Sequence, residues 1–201
     1  MTNEKIDRRI VRTKRMIRDA LTDLMEEKGF EAVTVRDLTE KADINRGTFY
    51  LHYRDKFDLL EQSEDELLAE IHEFIKETTT EDIVQANLRG EPLPFIVKLF
   101  EYIQENSRFM KLLLGPNGNP AFQVKLKEFM KQNFLRKLGS VANIDSRVPL
   151  DYLMAYVTSA HLGVIQQWLA EEMKQPPKEM ALTLATITFF GPGFAAGIRK
   201  K

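Results

Sequence analysis

The run Asn45 to Lys56, NRGTFYLHYRDK, gathers guanidinium, hydroxyl, phenol, imidazole and ammonium groups within a few helical turns. That chemistry suits nucleic acid. Arg46 can hold guanine O6 and N7 in a bidentate fork or clamp a phosphate, Gly47 admits close backbone approach, and Thr48 can bond a base edge or touch a thymine methyl. Tyr50 and His52 suit the sugar–phosphate backbone, as does the Tyr53 hydroxyl if its ring packs inward. Lys56 opens the following helix, where its ammonium and free backbone N–H groups both attract phosphate. Thr34 offers the same at the start of the preceding helix, with Arg36 beside it. Against this stands the plainer reading that Tyr50 and Tyr53 are core aromatics.

These groups need a scaffold, and Thr34 to Lys56 spells one. Thr34 is an N-cap with Asp37 at the capping-box position. Val35, Leu38 and Ala42 form an apolar stripe at helical spacing. Asp43 takes the turn, where a short polar side chain tolerates left-handed backbone. Ile44 plugs the turn and Asn45 caps the second helix, which buries Phe49. A short basic helix held across another fits the DNA major groove.

The segment from Arg12 to Leu60 resembles the N-terminal domain of the TetR/AcrR family of one-component transcriptional regulators. The resemblance rests on IRDALTDLMEEKGFEAVTVRDLTEKADI followed by NRGTFYLHYRDKFDLL, with Gly29-Phe30, Thr34, Gly47-Thr48-Phe49-Tyr50, Tyr53 and Lys56 at family spacing. It covers about a quarter of the chain. A weaker likeness to one family branch runs through PFIVKLFEYIQEN, GVIQQWL and PPKEMA. Asp43 departs from the family, where many members have Gly. The resemblance implies DNA contact by Thr34, Arg36, Asn45, Arg46, Gly47, Thr48, Tyr50, His52, Tyr53 and Lys56.

Composition narrows the alternatives. The 201 residues hold no Cys, which excludes disulfides, thiolate metal sites and a Cys nucleophile, and the three His are widely spread. No metal or cofactor is expected. No apolar run reaches membrane-spanning length and the N-terminus is charged, so the expected location is cytoplasmic. Net charge is −1, yet residues 1–18 carry Lys5, Arg8, Arg9, Arg12, Lys14, Arg15 and Arg18 against Glu4 and Asp7. This basic arm can supply phosphate contacts without sequence information. The acidic excess lies in Glu61 to Asp82.

Helical periodicity runs through the rest of the chain, and the expected fold is all-α with about nine helices. Ile17, Ala20, Leu21, Leu24 and Met25 mark the buried face of the first helix, and Gly29 is its expected left-handed C-cap. Asp55 caps a long fourth helix that joins the two parts of the chain. ETTTEDIVQANLRGEPLP reads as a connection, followed by FIVKLFEYIQEN and by SRFMKLLL with Ser107 as its cap. GPNGNP is a loop, AFQVKLKEFMKQNFLRKL a helix ended near Gly139, and SVANIDSRVP another connection. LDYLMAYVTSAHLGVIQQWLAEEMK extends to Pro176-Pro177, and KEMALTLATITFF is the last helix. The expected division is a helix-turn-helix domain over 1–58 and a helical effector and dimerisation domain over 59–201.

One short reading helix contacts too few bases for useful specificity, so a homodimer on a palindrome is expected. Met154, Val157, His161 and Ile165 on one helix, with Ala181, Leu184, Ala185 and Thr188 on the next, are the candidate interface. Apolar cover on more than one face fits burial in the monomer or against a partner. The family resemblance implies the latter. Phe100, Phe109, Phe122, Phe129, Tyr156 and Trp168 are candidates for an apolar effector pocket, with His161 and Gln166 as polar orienting groups. Aromatics at this spacing also suit plain core. The implied function is a regulator, usually a repressor, controlled by a small-molecule effector or a protein partner. The rivals are a co-regulator without DNA binding and an all-α enzyme, for which no phosphate loop, metal cluster or nucleophile–base pair is visible.

Overall fold

Side-chain oxygens placed just before apolar stripes set the first helix boundaries. In the computed structural model, which describes residues 2–79, 81–82, 85, 91–116, 118–139 and 147–198, every regular element is helical. The chain divides into two units, Met1–Leu67 and Leu68–Lys201. The expected boundary after residue 58 lies near the start of the long fourth helix, and the two units part inside that helix.

The first unit holds α1 (Thr2–Lys28), a 3-10 turn (Phe30–Ala32), α2 (Val35–Lys41), α3 (Arg46–Tyr50) and the opening turns of α4 (Lys56–Lys76). The basic arm is therefore the first part of α1. Ile17, Leu21, Leu38, Phe49 and Leu59 are fully buried and form the core of this unit. Asp43 has φ 52. Around it, Ile44 N–H donates to the Thr39 carbonyl at 3.0 Å and Asp43 N–H to that of Glu40 at 3.3 Å, the paired bonds of a Schellman ending. Gly29 also has positive φ, 76, but its ψ of 152 is extended, so the chain leaves α1 through a conformation reserved for glycine rather than a left-handed turn.

The second unit contains the rest of α4, then α5 (Pro94–Glu105), α6 (Ser107–Leu114), α7 (Pro120–Gly139), α8 (Leu150–Ala170), α9 (Pro177–Phe190) and the short α10 (Pro192–Ala195). Phe100 and Trp168 meet edge to face with centroids 5.0 Å apart, and both are buried in this unit, as are Ile103, Leu113 and Phe122. Among the described residues α10 is one helix more than expected, begun by Pro192 one residue after Gly191 turns the chain at φ 82. Gly90, most of the connection before α5, Asn117 and residues 140–146 lie outside the described residues.

Two boundaries differ from expectation. Ser107 is the first residue of α6 rather than its cap; Asn106 holds the cap position, and its amide donates instead to the Tyr102 carbonyl. Helix α8 ends at Ala170, before the expected run through Lys174. Glu172 and Met173 adopt φ 56 and 54, and Met173 N–H closes onto the Trp168 carbonyl at 2.9 Å. Good helix-forming residues here yield to a Schellman bond and to the Trp168 indole N–H, which donates to the Gln175 carbonyl.

Candidate nucleic-acid interface

Two caps aim the helix pair. Thr34 accepts from Asp37 N–H at 3.2 Å while the Asp37 carboxylate accepts from Thr34 N–H at 2.9 Å, a complete capping box. Lys28 and the Thr34 donors hold the Asp37 carboxyl well below the usual range. Lys28 pairs with Asp37 at 2.7 Å and Lys41 with Glu27 at 2.7 Å, tying α2 to α1. Asn45 Oδ1 accepts from Thr48 N–H at 2.7 Å and from the Thr48 hydroxyl at 3.1 Å, closing the start of α3. Asp55 accepts from Phe57 and Asp58 N–H and starts α4.

The predicted DNA-facing residues fall into two groups. Thr34, Arg36, Asn45, Arg46 and Gly47 are exposed, Thr48 and His52 are half-buried, and Tyr50 is 52% exposed. Arg36 pairs with Glu40 along α2. Arg46 makes no ion pair among the described residues. Tyr53 instead lies inside, 3% exposed, its ring 5.7 Å from Phe49 with the Lys14 ammonium above it. Burial pushes its phenol up. Lys56 is also engaged: its ammonium donates to the carbonyls of Phe30 and Glu31 and lies over the rings of Phe30 and Phe57.

Two exposed neighbours were not singled out from sequence. Leu51, in the C-cap position of α3, is 82% exposed, and its spacing of four from Gly47 was the available signal. Arg54 is exposed and pairs with Asp58 at 3.2 Å; the Arg54 backbone and guanidinium bring the Asp58 carboxyl down to about 2.

The second unit redistributes the other candidates. Met154, His161, Ile165, Ala181, Leu184 and Ala185 are buried in its own core, and Val157 and Thr188 are half-buried. The expected interface stripe thus packs α8 and α9 within the unit. The outward residues are different: Tyr152 (76% exposed) and Tyr156 (53%) on α8, with Leu182, Phe189 and Phe190 on α9. Among the pocket candidates Phe100, Phe109, Phe122 and Trp168 are interior and Phe129 is half-buried against His72. Tyr156 points away from them, because it lies on the exposed stripe of α8. His161 meets the Thr188 hydroxyl at 2.8 Å, and Gln166 donates to the Leu114 carbonyl at 2.8 Å.

Comparisons with known proteins agree with this arrangement. Residues 17–62 match the model of the bacterial regulatory proteins of the tetR family, and residues 90–189 match a transcriptional regulator C-terminal region of the TetR type. A 69-residue stretch is 41% identical to the uncharacterized HTH-type transcriptional regulator YxbF of Bacillus subtilis; it covers 34% of this chain and only 18% of that protein. A TetR transcriptional regulator of Streptococcus agalactiae has the same fold at TM-score 0.64 and 22% identity, over 92% of this chain and 98% of that one. The regulator FadR of Bacillus subtilis, solved with stearoyl-CoA, matches at TM-score 0.62 and 16% identity, over 88% and 97%.

Proposed function

Because the chain belongs to the TetR family of bacterial transcriptional regulators, we propose that it binds a palindromic DNA operator as a homodimer and acts as a repressor released by an effector. The observation that carries this reading is α3 itself. It is closed by Asn45, anchored by buried Phe49, and leaves Arg46, Gly47 and Tyr50 exposed. An unpaired guanidinium beside a residue without a side chain is what close approach to a polyanion requires. The exposed arginines of α1, Arg8, Arg9 and Arg12, add charge that attracts any DNA sequence. The reading gives no residue a catalytic role and places the protein in the cytoplasm.

The dimer face we assign is the outward stripe of the second unit. Tyr152, Tyr156, Ser159 and Gly163 follow one another at helical spacing on α8, all exposed, and α9 adds Leu182, Phe189 and Phe190. Large exposed apolar side chains gathered on two adjacent helices mark an interaction surface. The effector is assigned to the aromatic interior around Phe100 and Trp168. Its influence would reach the reading head along α4, whose residues belong to both units. Coupling of this kind is typically about 1–3 kcal/mol.

Selection of bound duplexes from a random DNA pool tests the reading. Recovery of a palindrome supports a sequence-specific dimer. Recovery of nothing above background from folded, dimeric protein would overturn it in favour of a co-regulator that works through another protein.

A further inference from the structure

Among the described residues of the first unit Leu51 is the most exposed large apolar side chain, yet it sits in helical backbone. Its N–H donates to the Gly47 carbonyl at 3.1 Å, which places it one turn beyond Gly47 on the same side of α3. Thr48 lies between them, and its hydroxyl is turned back to Asn45 Oδ1 at 3.1 Å. The hydroxyl proton is therefore committed within the protein. The exposed groups here are a bare glycine and an isobutyl group. A cation adjoins them: Arg46 precedes Gly47 and makes no ion pair among the described residues.

We propose, building on the operator-binding reading above, that Leu51 is a specificity-determining residue that reads a thymine methyl group in the major groove. The unpaired Arg46 guanidinium on the same helix favours an anionic occupant, which the operator supplies. Within the major groove the thymine C5-methyl is the only alkyl group a base edge presents, beside hydrogen-bond donors and acceptors. At any other base an apolar side chain brought there covers hydrogen-bonding groups without bonding them, whereas at thymine it meets an apolar partner.

Uracil substitution isolates the contact, since it removes the methyl and leaves every hydrogen-bonding group of the base in place. In the selected operator each thymine is replaced by uracil in turn, and binding is measured for the parent protein and for Leu51→Ala. The parent protein should weaken about fourfold for each buried methyl lost at one position of each half-site. Leu51→Ala should bind the thymine operator more weakly and show no further loss with uracil at that position. Its helix content and thermal midpoint should match the parent, because the side chain touches little of the protein. Indifference of the parent protein to every uracil substitution, or persistence of the methyl effect in Leu51→Ala, would overturn the proposal while leaving operator binding intact. Failure to select any operator would overturn the operator-binding reading, and this inference with it.

Discussion

The Lys56 ammonium donates to the Glu31 carbonyl at 2.8 Å and to the Phe30 carbonyl at 3.0 Å, fastening the first residue of α4 to the turn that follows α1. A lysine that sequence places against phosphate thus already has two acceptors and two aromatic faces, those of Phe30 and Phe57. In DNA-free protein Lys56→Met should keep the apolar stem, lose both bonds and speed amide exchange in the turn and at the start of α4. About 1–2 kcal/mol is expected for charge-assisted bonds in a half-buried setting. Unchanged exchange, with only a flatter salt dependence of DNA binding, would return Lys56 to a phosphate role alone.

Asn45 caps α3 and is a proposed DNA contact, and two substitutions separate these roles. Asn45→Ala removes the acceptor for Thr48 N–H and should cost about 1 kcal/mol, seen as lost protection at Thr48. Asn45→Asp keeps an acceptor and should restore that protection. If α3 lies against DNA, the added carboxylate will still weaken operator binding. Recovery of both stability and affinity in Asn45→Asp would remove α3 from the phosphate surface.

Asp43 holds φ 52 at a position where the backbone bonds of the turn require left-handed geometry. Asp43→Gly relieves the strain and should stabilise the first unit by up to about 1 kcal/mol, part of the gain being offset by the freedom of glycine in the unfolded chain. Asp43→Val should destabilise it by about 1–2 kcal/mol. Hydrogen exchange across α2 and α3 reads both changes, and an Asp43→Val protein as protected as the parent would refute the strain.

Burial brings the imidazole of His161 down from the ordinary 6.5 to about 4. The folded state therefore favours the neutral ring, and the unfolded chain takes up the proton first as pH falls. This contribution is fully present above about pH 6.5 and is lost between there and about pH 4. Trp168, the single tryptophan, lies on the same helix and reports unfolding of the second unit by fluorescence. Stability should fall by about 2 kcal/mol between pH 7 and pH 5, and His161→Gln should remove most of that fall. An identical fall in His161→Gln would place its origin elsewhere.

What was legible in the sequence was chiefly local. Thr34, Asn45 and Asp55 act through groups two or three residues away, so spacing suffices to find them. The left-handed turn at Asp43 and the all-helical class follow in the same way. The inward placement of Tyr53 and the fastening of Lys56 depend on groups from α1 and the turn after it, which spacing within the motif does not encode. Helix α8 was ambiguous for a related reason. Met154 and Ile165 lie on one face, Tyr152 and Tyr156 on another, and both faces are apolar. Periodicity identifies such a helix without saying which face the chain itself covers.

Gly163 offers a test of that second face. It lies in α8, exposed, and an added Cβ there would have nothing within 4 Å. Within one protomer, Gly163→Ala should therefore favour the helix by about 1 kcal/mol. Against a partner helix the effect reverses, because glycine beside Ser159 permits an approach that a methyl group obstructs. The expected result is a second unit that resists urea better when measured as a monomer, together with a dimer that dissociates at higher protein concentration by analytical ultracentrifugation. Tyr156→Glu, on the same exposed stripe, should weaken the dimer without the gain in monomer stability. A Gly163→Ala protein that is stabilised and dimerises as tightly as the parent would move the dimer face off this part of α8.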